Sequence, residues 1–165
     1  MAVTQPITDQ LIQDSLVHAV QHFTKTMLRR DAIFVGRSAE PAPSVVYGVI
    51  GSIGFVGEAN GLVYLCFPEA FALHATCLIL GMSPGEVEMH GPEVVKDAIG
   101  EITNMTAGGF KNQLCDIGFP CRLTLPTIVR GRNLSVAAIK STHRHVFELQ
   151  CDGHSFVADI QLKAE

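Results

Sequence analysis

The stretch DAIGEITNMTAGGFKNQ, residues 97–113, has the spacing that decides how this chain folds. At about 100° per residue, five of its positions fall within an arc of about 80° on one helix face: Asp97, Glu101, Asn104, Gly108 and Lys111. The opposite side of the same helix is apolar and contains Val95, Ala98, Ile99, Ile102 and Met105. The pattern therefore predicts a helix that packs through its apolar side. We call the five positions on the other side the polar ridge.

The residues before this helix predict one amphipathic helix, three strands and one buried helix. Residues 8–30 place apolar side chains at helical spacing, and a strand follows from Ala32. Two segments rich in β-branched and aromatic residues, SVVYGVIGSIGFV and GLVYLCF, flank the turn sequence GEANG at 57–61, which indicates a hairpin. Residues 69–82 are apolar nearly all round, as in a buried helix, and residues 83–93 are polar and rich in turn formers.

The residues after residue 116 change to a period of two. Pro120 and Pro126 interrupt the first such stretch, so we expect an edge strand or short extended pieces there. Residues 133–151 and 154–163 predict further strands joined by a tight turn at Asp152 and Gly153. This order of elements indicates one α+β domain over residues 1–165, with an antiparallel sheet and helices packed on one face.

The composition excludes several classes of protein. Apolar residues make up 47% of the chain, but their runs are much shorter than the ~20 residues of a membrane span. We find no secretory signal pattern and therefore expect a soluble, cytoplasmic protein. The net charge of −4 and the absence of a Lys/Arg run argue against nucleic-acid binding, so partners should be proteins or small molecules.

The cysteines and histidines indicate no metal site. Five widely spaced cysteines without a Cys-x-x-Cys pair predict free thiols, mostly buried. His18 and His22 have the spacing of a two-histidine metal pair, but no third ligand lies near them in sequence. We interpret them, and the pair His143 and His145, as histidines on solvated faces.

The ridge pattern resembles a known family. The chain resembles the CheX group of the CheC/CheX/FliY chemotaxis phosphatases in the pattern Asp97-x-x-x-Glu101-x-x-Asn104-x-x-x-Gly108. This pattern comes after Pro92 and is followed by LPTIVRG at 125–131. The chain contains one Glu-x-x-Asn, as in CheX, whereas CheC-like members typically carry two. The resemblance implies a CheC-like six-stranded antiparallel sheet and a homodimer formed through the sheets. One departure is Gly109, where the family often has Asn.

The resemblance also implies an activity and a partner. The expected substrate is the phospho-aspartate of a CheY-like response regulator, an acyl phosphate that hydrolyses slowly unaided, so the enzyme mainly has to position a water. Asn104 would hold that water, and Glu101 would pair with the active-site lysine of the regulator. Gly108 would let the partner approach closely, and Lys111 would contact it. Asp97 would act through helix N-terminal electrostatics or contact the partner. The chain itself needs no cofactor, because the Mg²⁺ would belong to the regulator.

Two other functions remain open on sequence grounds. The same face could serve a non-catalytic adaptor that binds a response regulator or a flagellar switch component. Alternatively, an α+β domain of this kind could bind a metabolite in a pocket between the apolar helix at 69–82 and the sheet.

Overall fold

The period-two segments pair into one antiparallel sheet, and the helical segments pack on it. A computed structural model describes residues 7–38 and 46–163. In chain order the elements are α1 (Asp9–Phe23), a π-helical turn (Thr24–Leu28), β1 (Ile33–Ser38), β2 (Tyr47–Gly57), β3 (Gly61–Phe67), α2 (Glu69–Leu80), α3 (Pro84–His90), α4 (Glu93–Asp116), β4 (Cys121–Leu123), β5 (Thr127–Leu134), β6 (Thr142–Cys151) and β7 (His154–Lys163). The predicted α+β class is confirmed.

The sheet has seven strands where six were predicted, because one edge strand is broken. The strand order is β1-β6-β7-β3-β2-β4, with β5 also paired to β2, and every pair is antiparallel. β4 pairs with β2 at Phe55 to Gly57, and β5 pairs with β2 from Tyr47 to Ser52. Both therefore occupy the same edge. The interruption contains Pro126, which lacks the N–H that a strand ladder needs.

Two segments differ from the sequence prediction. The turn-rich segment contains the short helix α3, which starts at a capping box: the Glu86 N–H donates to Ser83 Oγ and the Ser83 N–H donates to Glu86 Oε1, both at 3.2 Å. Residues 135–141 are not strand. They cross the outer face of the sheet, where the Ala137 carbonyl accepts a hydrogen bond from Gln161 Nε2. Hydrogen bonds to side chains of β6 and β7 thus replace strand pairing in this segment.

The core lies between the sheet and α1, α2 and α4. Phe71 of α2 stacks on Phe156 of β7 with ring centroids 4.9 Å apart, and Phe110 of α4 meets Phe55 of β2 edge-on at 5.8 Å. All four rings are essentially fully buried. The contact between α2 and the sheet, where a metabolite pocket was considered, is filled by this stacked pair of rings.

α4 approaches β2 most closely at Gly51. A Cβ atom placed on Gly51 would lie 2.1 Å from Thr103 Oγ1, which is far inside van der Waals contact. The Thr103 hydroxyl is itself buried and donates a 2.7 Å hydrogen bond to the Ile99 carbonyl one turn earlier. The absence of a side chain at Gly51 therefore sets how close the long helix lies to the sheet.

The turn between β6 and β7 is tied to the rest of the fold by one carboxylate. Asp152 and Gly153 form the predicted tight turn, with φ of 50° and 77°. Asp152 Oδ2 accepts a hydrogen bond from Arg30 Nε at 2.9 Å and contacts His74 Nε2 at 2.8 Å. These contacts hold the pKa of the Asp152 carboxyl below its usual value of 3.8.

The predicted free thiols are confirmed, but one histidine prediction is wrong. All five cysteines are free, and three of them are buried: Cys66, Cys121 and Cys151. His18, His22 and His143 are exposed as predicted. His145 is instead buried, with its ring stacked against Phe147 and its Nε2 3.6 Å from a carboxylate oxygen of Asp9. The start of α1 covers it, a long-range contact that strand alternation does not reveal.

Within residues 7–38 and 46–163, no helix taken alone has the length and hydropathy of a membrane span. The bent pair α2 and α3 reaches these values only when both helices are combined.

We predict that Gly51→Ala destabilises the protein by about 1–3 kcal/mol, because the new methyl group forces α4 away from β2. Chemical denaturation of the two proteins measures this difference. Gly36→Ala in β1 is the matched control, since a Cβ there meets nothing within 4 Å. Equal losses in the two variants would show that the contact with Thr103 is not what limits residue 51.

We predict that Asp152→Asn lowers the melting temperature at pH 7 and that the difference from wild type shrinks below about pH 4. A carboxyl group whose pKa is lowered by folding stabilises the native state above its unfolded pKa, and this contribution is lost as the pH falls through the folded pKa. Asparagine tolerates the positive φ, so the turn is kept. Thermal unfolding between pH 3 and pH 7 tests this, and a difference independent of pH would contradict it.

Candidate functional site

The polar ridge lies on the side of α4 that faces away from the sheet. The side chains of Asp97, Glu101 and Asn104 are exposed, whereas Gly108 and Lys111 are half-buried. The apolar side of the helix is buried as predicted at Val95, Ala98, Ile99 and Ile102, and Met105 packs half-buried against the core. The sequence pattern therefore identified correctly both the helix and its two faces.

The ridge side chains are available to another molecule. Within the part of the chain that the structure describes, the side chains of Asp97, Glu101, Asn104 and Lys111 make no hydrogen bond or ion pair. A carboxamide can donate and accept hydrogen bonds at once, and a carboxylate accepts them from cations. The exposed centre of the ridge, Glu101 and Asn104, thus offers both kinds of contact within one helical turn.

The three glycines of α4 have different surroundings. A Cβ on Gly108 would meet nothing within 4 Å, so this position leaves the ridge open. A Cβ on Gly109 would lie 3.4 Å from the Cβ of Ala19 in α1, and one on Gly100 would lie 3.8 Å from Ile128 in β5. Gly109, the departure from the family pattern, therefore faces the contact between α1 and α4 and not the ridge.

Arg130 of β5 fixes the beginning of α4, a role that the sequence analysis did not find. Its guanidinium binds Glu69 at the start of α2 through Nε and Nη2. Its Nη1 donates a 3.4 Å hydrogen bond to the carbonyl of Pro92, the residue that precedes α4. Arg130 belongs to the LPTIVRG segment, and its partners are 61 and 38 residues away in sequence. This segment therefore supports the helix that carries the ridge.

The structure holds two clefts of interest near the ends of α4. One, of about 720 Å³, lies beside the first turn of α4 and includes Lys96, Arg130 and Arg132 in its lining. The other, of about 580 Å³, is lined by Asp9, Phe119 and His143 among others and contains no ridge residue. Among the described residues, no group of three or more His, Cys, Asp or Glu side chains is placed to hold a metal ion.

Sequence comparison places the chain among chemotaxis phosphatases. Residues 49–150 match the family described as chemotaxis phosphatase CheX. A curated relative, the CheY-P phosphatase CheX of Thermotoga maritima, is 30% identical over 93 residues. That match spans 56% of this chain and 57% of the relative, which is less than two thirds of its length.

Solved structures share the fold over nearly the whole chain. A CheC-like superfamily protein from Shewanella sp. PV-4 superposes with a TM-score of 0.84 at 23% identity, covering 96% of this chain and 100% of that one. The chemotaxis protein CheX from Vibrio vulnificus gives 0.82 at 24% identity, covering 92% and 99%. A CheX–CheY–BeF3–Mg²⁺ complex from Borrelia burgdorferi gives 0.77 at 19% identity, covering 92% and 97%. At these identities the structures establish the fold alone.

The matched residues extend from β2 into β6 and include all of α4 with its ridge. Since they make up more than half of the 165 residues, the chain belongs to the CheX family of chemotaxis phosphatases.

Proposed function

We propose that this protein hydrolyses the phospho-aspartate of a CheY-like response regulator, with Asn104 positioning the attacking water and Glu101 pairing with a lysine of the regulator. The observation that carries the proposal is the ridge itself. Glu101 and Asn104 are both exposed on the side of α4 that faces away from the sheet, and both lack partners among the described residues. Membership of the CheX family and similarity to the CheY-P phosphatase CheX of Thermotoga maritima support this substrate class.

The proposed reaction requires the enzyme mainly to position the attacking water. The water oxygen attacks phosphorus in line with the aspartyl oxygen, the P–O bond to the aspartyl group breaks, and the carboxylate leaves as the water proton passes to phosphate or solvent. An acyl phosphate has a good leaving group, so aligning the water accounts for most of the acceleration. The amide of Asn104 accepts from or donates to that water without becoming a nucleophile or a base.

The spacing of the ridge suits two contacts with one partner. Glu101 and Asn104 are separated by about 4.5 Å along the helix axis, at 1.5 Å per residue. A carboxylate one turn before the amide can hold the ammonium group of a regulator lysine while the amide reaches the phosphoryl group. Asp97 and Lys111, about 21 Å apart along the axis, are proposed to contact the partner at the two ends.

The remaining features of the proposal come from the family resemblance and from the length and composition of the chain. The divalent ion belongs to the regulator, so this chain holds no cofactor of its own. We expect one domain over residues 1–165, a homodimer formed through the sheet, and a cytoplasmic location.

We predict that Asn104→Ala abolishes the acceleration of phosphate release from a phosphorylated CheY-like regulator, because the water is no longer aligned. Loss of activity should be at least about a hundredfold in kcat, as for other groups that act mainly in the transition state. Phosphate release is measured with wild type and variant at equal concentration, and circular dichroism checks that the fold is kept. An unchanged rate would contradict the mechanism.

Glu101→Gln is the companion variant. Its charge is lost while its size is kept, so KM for the phosphorylated regulator should rise more than kcat falls. A wild-type protein that binds the phosphorylated regulator but releases no phosphate would instead support the adaptor function. A wild-type protein that binds no regulator and is stabilised by a small molecule would support the metabolite-binding function.

We predict that Gly108→Ala raises the melting temperature by about 2–4 °C and lowers kcat/KM. Alanine favours the helix by roughly 1 kcal/mol over glycine, and a Cβ at residue 108 meets nothing within 4 Å among the described residues outside the adjacent turns of α4. The methyl group then obstructs only the partner. Gly100→Ala is the matched control, because its Cβ would lie 3.8 Å from the side chain of Ile128 in β5 and not in open space. Equal kcat/KM values for Gly108→Ala and wild type would show that the partner does not approach residue 108.

A further inference from the structure

The edge of the sheet formed by β4 and β5 lies beside the polar ridge and has two unusual features. One is an exposed leucine at the break between the strands, and the other is a cationic cleft. We propose that the regulator contacts this edge as well as the ridge, with Leu125 as an apolar contact and with Lys96 and Arg132 facing an acidic part of its surface. This inference rests on the proposed function and specifies which flank of α4 the partner covers.

Strand register places the break next to the centre of the ridge. Leu123 pairs with Phe55 of β2, and Thr127 pairs with Ser52, so Leu125 lies between these two levels. α4 crosses the same part of β2, since Thr103 lies over Gly51 and the ring of Phe110 meets that of Phe55. Leu125 is thus level with the helical segment 103–110, which contains Asn104 and Gly108.

The backbone that carries Leu125 is held in place. Thr124 exchanges two hydrogen bonds of 2.8 Å with Gly54: its N–H donates to the Gly54 carbonyl, and its Oγ1 accepts from the Gly54 N–H. Pro126 follows and restricts the conformation of the residue before it. Leu125 nevertheless remains 89% exposed. Because the backbone at this bend is already ordered, a partner that covers Leu125 restricts mainly its side chain, which lowers the entropic cost of the contact.

The cleft beside the first turn of α4 has the opposite charge to the chain as a whole. Three cations, Lys96, Arg130 and Arg132, line it together with one carboxylate, Glu69. Arg130 is paired with Glu69, whereas Lys96 and Arg132 make no ion pair within the described residues. The chain carries a net charge of −4, so this local excess of positive charge distinguishes the β5 flank of the ridge. Charge complementarity favours an acidic surface there.

The part of the other flank that α1 forms differs in both respects. There α1 packs against α4 where Ala19 faces Gly109. None of the exposed large apolar side chains belongs to α1, and its surface carries Asp14, hydrogen-bonded by Gln10. The apolar contact and the unpaired cations therefore lie together on the β4–β5 side.

The test compares two variants of this edge with two matched controls. Leu125→Ala and the double variant Lys96→Ala/Arg132→Ala are measured against Ile33→Ala and Lys140→Ala. Ile33 is 64% exposed on β1 at the opposite edge, and Lys140 is exposed in the segment that crosses the outer face. Steady-state phosphate release gives kcat and KM for a phosphorylated CheY-like regulator. Affinity for the same regulator activated with beryllofluoride and Mg²⁺ is measured separately.

We expect Leu125→Ala to raise KM and Kd about tenfold, as for loss of a buried leucine contact, with kcat unchanged. The double variant should raise Kd about threefold at low salt, and the difference from wild type should vanish at high salt. The controls should match wild type. Unchanged Kd values for both edge variants, with an active wild type and an inactive Asn104→Ala, would overturn this inference and leave the proposed function standing.

Two further outcomes separate the inference from the proposed function. A wild type that binds the activated regulator without hydrolysing its phosphate contradicts the proposed activity, while the Kd of Leu125→Ala still decides the inference. If Leu125→Ala converts a dimer to a monomer in sedimentation without changing the Kd for the regulator, the edge is an interface between copies of this chain and the inference is wrong. A wild type with no affinity for the regulator overturns both.

Discussion

The contact between α4 and β2 at Gly51 is the constraint on which the site depends. Because residue 51 has no side chain, the Thr103 hydroxyl can lie 2.1 Å from the position that a Cβ atom would take. The same hydroxyl satisfies its hydrogen bond within the helix, on the Ile99 carbonyl, so the close contact leaves no buried donor unpaired at that point. The side chain of Thr103 in α4 thus packs directly against the backbone of β2 at Gly51.

This contact also determines which residues face outward. A helix has a fixed angular spacing, so once Thr103 is turned toward the sheet, residues on the opposite side of the helix must be exposed. Glu101 falls there, about 160° from Thr103 around the helix, and Asn104 lies about 100° from Thr103 and is also exposed. Arg130 constrains the same helix at its first turn through the Pro92 carbonyl, and Phe110 constrains it through the ring of Phe55. The orientation of the ridge is therefore set by three contacts spread over α4, and none of them involves a ridge side chain.

Sequence periodicity was sufficient to predict the elements whose burial follows from local pattern. The faces of α4, the hairpins and the broken edge strand near Pro126 were all predicted correctly, since each depends on spacing or on a residue with a restricted backbone. Features set by distant partners were not predictable. His145 alternates like a surface residue and is buried because α1 covers it, and residues 135–141 leave the sheet because β6 and β7 supply other hydrogen-bond partners. α3 is an intermediate case, since the Ser83 and Glu86 spacing of its capping box was visible but lay in a segment dominated by turn formers.

The broken edge has a consequence for how the sheet meets other strands. An unbroken edge strand presents a row of free N–H and C=O groups to which another chain can add, and proline is one of the means by which proteins prevent this. On the β4–β5 side, Pro126 and the two short registers on β2 divide that row into two pieces. The opposite edge is β1, a six-residue strand with one irregularity in its register between Phe34 and Gly36. A strand added at β1 would lie at the edge farthest in strand order from the strands that support the ridge, whereas one added along β5 would lie beside the ridge.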